Sequence, residues 1–177
     1  MTESVDAKAI AHAAELILQS DALVVAAGAG MGVDSGLPDF RGSQGFWRAY
    51  PALERARLDF HAVACPQAFQ THPRQAWGFY GHRLNLYRAT RPHAGFNLLR
   101  RWGAHMSMGM AVFTSNVDGQ FQMAGFDAAL VHECHGSIDH WQCLRPCCQT
   151  IWPAPEGALD VDESQCQLRG ALPACPR

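Results

Sequence analysis

An apolar run, Ala22-Leu23-Val24-Val25-Ala26-Ala27, leads straight into Gly28-Ala29-Gly30-Met31-Gly32. No other stretch limits the possible folds as tightly. A short apolar run bounded by Asp21 and Gly28 suits a buried strand of a parallel sheet. Glycines at the end of such a strand let backbone N–H groups approach a pyrophosphate without side-chain clash. Gly28, Gly30 and Gly32 supply that turn. Alternating glycines alone also suit a tight turn without a ligand. The continuation, Ser35-Gly36-Leu37-Pro38-Asp39-Phe40-Arg41-Gly42, argues against that blander reading. It adds an acid, an aromatic ring and a cation in one ordered loop.

The rest of the chain fits an α/β plan. Ala7 to Gln19 has apolar residues at helical spacing, with Asp6 placed to cap it. From Phe46 to Thr90 the sequence is aromatic, arginine-rich and helical in pattern, interrupted at Pro51, Pro66 and Pro73. His93 to Trp102 reads as a helix, amphipathic through Phe96, Leu98 and Leu99. Met108 to Thr114 and Leu130 to Cys134 read as further buried strands. After Ser137 the periodicity stops, and cysteine, proline and tryptophan dominate. Three sheet strands are fewer than the six or so of a full dinucleotide-binding sheet. The expectation is therefore an incomplete fold, cut short before its second half.

Hydrophobic residues make up 48% of the 177 and charged residues 17%, a globular balance. The net charge of −2 gives no reason to expect nucleic acid or an anionic membrane as partner. No stretch approaches the roughly 20 apolar residues that span a bilayer. The first twenty residues lack the basic end and apolar block of a secretory signal. A cytoplasmic protein is the default expectation. Five of the seven cysteines then fall near the end, where a reducing compartment favours metal binding over disulfides. Cys65 and Cys134 read as small buried apolar residues.

Gly28 to Gly42 resembles the sirtuin signature GAGxSxxSGIPDFRG. Thr114-Ser115-Asn116-Val117-Asp118-Gly119 resembles that family's TQNIDG block, and His135-Gly136-Ser137 its HGS block. The blocks keep the family's order, each at the C-terminal end of a strand, where open α/β sheets bind ligands. The resemblance implies a Rossmann-like, sirtuin-type parallel sheet, incomplete, with a helical insertion and a cysteine-rich zinc module. Its parts would be residues 1–45 and 92–138 for the NAD-binding sheet, 46–91 for the insertion and 139–177 for the truncated zinc module.

The resemblance also implies roles. Gly28, Ala29, Gly30 and Gly32 would line the NAD phosphates and ribose, with Arg41 on phosphate. Asp39 and Phe40 would stand near the nicotinamide, and Trp47 would also bind the cofactor. Ser115, Asn116 and Asp118 would hold nicotinamide and its ribose. His135 would be the general base, a fitting task for a side chain that exchanges protons near neutrality. Two departures stand out: Gly32 replaces a serine and Ser115 a glutamine, each shortening a polar reach. His132 and His140 read as ordinary surface or packing histidines.

Tyr80 and Arg83 stand where the desuccinylase-type branch carries Tyr-x-x-Arg. The pair implies binding of an acyl carboxylate, for which a guanidinium fork and a phenol are well suited. Elsewhere such a pair often sits on a solvated helix face. The family's structural zinc implies Cys143, Cys147 and Cys175 as ligands, with Cys148 or Cys166 open as the fourth. The function implied is NAD-dependent removal of acyl groups from protein lysines, giving nicotinamide and O-acyl-ADP-ribose. ADP-ribosyl transfer or NAD hydrolysis in the same pocket, and an inactive truncated remnant, are the alternatives.

Overall fold

A computed structural model describes residues 6–39, 42–145 and 147–176, with the backbone alone for 42–45. Helix α1 (Ala7–Leu18) starts at Asp6, whose carboxylate accepts the Lys8 N–H at 2.9 Å. Strand β1 (Leu23–Ala27) follows and runs into a 3₁₀ turn over Ala29–Ser35, closed by Gly36 in the left-handed region. The helical insertion holds α2 (Gly42–Ala49), α3 (Pro51–Arg55), α4 (Phe60–Val63), α5 (Pro66–Thr71) and α6 (Pro73–Ala89). Pro51, Pro66 and Pro73 each open a helix rather than merely ending one. A proline has no N–H to leave unpaired in a first turn.

Helix α7 (Ala94–Ala104), strand β2 (Met110–Thr114), short α8 (Gln120–Met123) and strand β3 (Val131–Glu133) return the chain to the sheet. The strands lie in the order β1-β2-β3, all parallel, with Ala27 beside Thr114 and Thr114 beside Glu133. This register aligns the three strand ends. Ser115 N–H donates to the Ala27 carbonyl and Cys134 N–H to that of Thr114, continuing the ladder past the strands.

One face of the sheet is covered: Val25, Val112 and Val131 pack with Phe96, Phe121 and Phe126. The other is open. Val24 is 72% and Phe113 51% exposed, with His132 stacked on Phe113. The apolar runs therefore do not make strands buried on both faces. Alternate residues are half-buried or buried, because no described element lies across Val24 and Phe113. Helix α1 buries none of its residues.

The cysteine-rich part, unpatterned in sequence, forms two small antiparallel hairpins: β4 (His140–Gln142) with β5 (Ile151–Pro153), and β6 (Val161–Asp162) with β7 (Gln167–Leu168). Helix α6 is their support. A Cβ at Gly78 would run into the Cys166 backbone, so only glycine lets helix and hairpin meet. Arg74 donates to the carbonyls of Leu168 and Gly170. Asn85 and Leu159 exchange two hydrogen bonds of 2.8 Å.

Candidate active site

The aligned strand ends open onto a cavity of about 790 Å³. Ala29 and Gly32 line it from the glycine turn, Ser115, Asn116 and Asp118 from the end of β2, and His135 from beyond β3. Tyr80 and Arg83 of α6 line it as well, as does Asp39. Residues separated by a hundred positions thus share one space. Gly28 and Gly30 belong to the turn without lining the cavity. Phe40 and Arg41 lie outside the described residues.

The turn is held by its neighbours. Asn116 Nδ2 donates to the Gly28 carbonyl at 2.9 Å, while its own N–H donates to Thr114 Oγ1 at 3.0 Å. The serine-to-glycine departure at Gly32 has a packing consequence as well as a polar one. A Cβ there would stand 3.1 Å from Leu37 Cδ1, so a side chain would press on that buried leucine. His93 is a second anchor, and it was legible in sequence only as a helix start. Its Nδ1 accepts the Gly95 N–H at 3.0 Å, so Nε2 carries the proton and donates to the Met31 carbonyl at 3.0 Å. The His93 N–H donates to Ser35 Oγ at 3.0 Å. Helix α7 and the glycine turn are joined through this one residue.

Asp118 Oδ1 accepts the Gln120 N–H at 3.0 Å. Burial pushes its carboxyl above the usual carboxylate range, opposed by that N–H and by the Arg83 charge. Glu133, half-buried at the end of β3, is pushed the same way by burial. His135 is exposed to the cavity. Ile138 N–H donates to the Val117 carbonyl, tying the turn after His135 to the end of β2.

The α6 side is aromatic. Arg83 is buried, its guanidinium carbon 5.2–6.0 Å from the rings of Tyr87, Phe79, Tyr80 and Phe60. It is therefore no solvated helix-face cation. Burial pushes the Tyr80 phenol up, with the Arg83 charge pulling it down. Trp77, which touches Trp141 at a ring separation of 4.7 Å, and Phe69, stacked on Tyr80, extend the wall. Tyr87 was missed in sequence, although it sits one turn beyond Arg83 on the same face and helical spacing would have found it. Trp47 lies apart from the cavity, packed on the Phe46–Phe79 cluster, its indole N–H donating to the Leu58 carbonyl at 2.9 Å.

Three of the cysteine expectations change. Cys134 is exposed rather than buried, because it falls beyond the end of β3. Cys65 is partly exposed and lines the cavity as the residue before α5. Cys166 is only 2% exposed within the aromatic cluster of α2 and α6. Burial pushes its thiol up to about 12, and it is not among the cysteines whose sulfurs converge. Cys143, Cys147 and Cys175 do converge, their sulfurs all within 4.8 Å of one another. The Cys147 sulfur lies 3.5 Å from each of the other two and 4.0 Å from that of Cys148.

Residues 28–170 match the Sir2 family. The chain belongs to that family. An NAD-dependent protein deacylase of Daphnia pulex is 32% identical over 142 residues, covering 78% of this chain and 47% of the relative. One of Aeropyrum pernix is 31% identical over 170 residues, covering 96% of this chain and 60% of the relative. Among solved structures, a histidine-to-asparagine mutant of a Sir2 homologue in complex with ADP-ribose superposes with a TM-score of 0.70. It is 26% identical, over 98% of this chain and 59% of that one. The chain thus spans about half to three-fifths of the length of these Sir2 relatives.

Proposed function

We propose that this Sir2 chain carries the NAD-facing and acyl-facing walls of an NAD-dependent protein-lysine deacylase acting on acidic acyl groups. One observation carries the reading: a single cavity is lined by Asn116, Asp118 and His135 and also by Tyr80 and Arg83. The relatives' names and the ADP-ribose complex of a Sir2 homologue support NAD as the co-substrate.

When bound, NAD would supply an electrophilic ribose carbon with nicotinamide as its leaving group. The Gly28–Gly32 turn offers backbone N–H groups to the phosphates. Asn116 and Asp118 orient the nicotinamide end. His135 accepts a proton from a ribose hydroxyl. Arg83, with Tyr80 beside it, receives a succinyl, malonyl or glutaryl carboxylate through a charge-assisted hydrogen bond. Such bonds contribute about 1.5–3 kcal/mol, or roughly ten- to a hundred-fold in preference.

The thiol cluster fits a structural zinc. Zinc–sulfur bonds of about 2.3 Å in a tetrahedron put sulfurs about 3.8 Å apart, close to the separations around Cys147. Cys143, Cys147 and Cys175 would hold it, with Cys148, its sulfur 4.0 Å from that of Cys147, as the fourth ligand. Zinc there would fasten the β4–β5 hairpin, which carries Trp141 of the cavity wall. A reducing compartment, the cytoplasm, goes with this reading.

The test is nicotinamide release with succinyl-lysine and acetyl-lysine peptides, in the parent and in His135→Ala. Removal of a general base is expected to lower turnover by roughly 10²–10⁴-fold. Unchanged turnover would remove His135 from the mechanism. Release that ignores the peptide would favour NAD hydrolysis or ADP-ribosyl transfer instead.

A further inference from the structure

Arg83 does not stand in the cavity wall unaided. Its Nε–H donates to the Tyr87 hydroxyl at 2.8 Å, in a contact where both side chains are buried. A guanidinium is planar, so a hydrogen bond at Nε fixes the plane of the whole fork and the line along which a carboxylate can meet it. Tyr87 also lines the cavity itself.

The tyrosine is fixed in turn. Gln120, 1% exposed, donates through Nε2 to the carbonyls of Tyr87 and Thr90, at 3.3 and 3.1 Å. The Gln120 N–H donates to Asp118 Oδ1. The cation and the acid, both lining the cavity, are therefore the ends of one chain of contacts through Tyr87 and Gln120. The Tyr87 phenol is pushed up, first by burial and then by the nearby Asp118 charge, against the pull of Arg83. It stays a neutral hydroxyl, able to accept from the cation.

We propose that Tyr87 is a positioning residue that sets acyl specificity: it holds Arg83 at Nε so that the fork meets an acyl carboxylate. This rests on the reading that Arg83 receives an acidic acyl group. A tyrosine serving only as core filler would leave specificity untouched when its hydroxyl is removed.

The experiment measures affinity of the full chain for labelled succinyl-lysine and acetyl-lysine peptides by fluorescence anisotropy, with NAD present, alongside melting temperature. The variants are Tyr87→Phe, Arg83→Met and the double change. The parent is expected to bind the succinyl peptide more tightly. Tyr87→Phe should lower succinyl affinity about tenfold, the effect of a hydrogen bond to a charged group, and move acetyl affinity less than about twofold. In the Arg83→Met background, Tyr87→Phe should change nothing further, because the partner it orients is gone. A succinyl-to-acetyl ratio that survives Tyr87→Phe overturns the positioning role and leaves the acyl reading standing. A Tyr87→Phe effect that persists without Arg83, or falls equally on both peptides, marks a merely structural tyrosine and overturns it too. A parent with no succinyl preference overturns the acyl reading, and the role of Tyr87 with it.

Discussion

The helical insertion and the sheet are built to different standards of burial. Phe46, Leu53 and Phe79 are 0% exposed, and Phe79 meets the rings of Phe46, Tyr50, Phe60 and Tyr80. Val24 within β1 is 72% exposed, and α1 buries nothing. The insertion closes its own core against α6 and the β6–β7 hairpin. The sheet closes one face only. The residues that would select the acyl group thus sit on the tightly packed part, while those that would hold NAD ride on a sheet with an open side.

Substitutions can break or sharpen this contrast. The largest effect is expected at the centre of the insertion. Phe79→Ala should cost about 3–5 kcal/mol, as for other buried aromatics, seen as a fall in the urea midpoint. A loss under about 1 kcal/mol would show that the insertion is no more tightly packed than the sheet.

Next comes Gly78→Ala, which sets a methyl group against the Cys166 backbone. Overpacking of this kind costs about 1–3 kcal/mol. Because α6 carries Tyr80 and Arg83, succinyl-peptide binding should weaken together with the melting temperature. Stability lost without any change in binding would detach the hairpin contact from the cavity.

On the sheet side, His93→Ala removes both the cap of α7 and the hold on Met31. A lost cap costs about 0.5–2 kcal/mol. His93→Asn keeps an acceptor for the Gly95 N–H but does not reach Met31, so it should recover stability without recovering NAD affinity measured by calorimetry. Equal NAD affinity in the parent and both variants would show that the turn needs no anchor from α7.

The smallest effect is expected on the open face. Val24→Thr should stay within about 0.5 kcal/mol of the parent, as exposed positions do, and raise solubility measured by light scattering. A loss above about 1 kcal/mol would mean that this face is covered in solution, and the contrast between the two regions would narrow.

Much of the site was legible in the sequence because strand ends announce themselves. An apolar run followed by Gly28-Ala29-Gly30, another by Asn116-Val117-Asp118, and a third by His135-Gly136-Ser137 mark three places where a chain leaves a sheet. Parallel strands in register must bring those places together. The burial of the strands was not legible in the same way. An apolar run reads alike whether one face or two are covered, and Val24 and Phe113 show which applies here.

The sequence by itself determined the α/β plan, the glycine turn and the helical character of the insertion. Each depends on contacts near in the chain or on a periodic pattern, and local chemistry suffices for those. Only the tertiary structure decided that Cys166 belongs to an aromatic core while Cys143, Cys147 and Cys175 converge. It alone decided that His93 clamps Met31, and that Arg83 is buried among rings with Tyr87 at its Nε. These depend on where α6 and α7 settle against distant segments, and that is set by the packing of whole faces, which no single stretch of sequence contains.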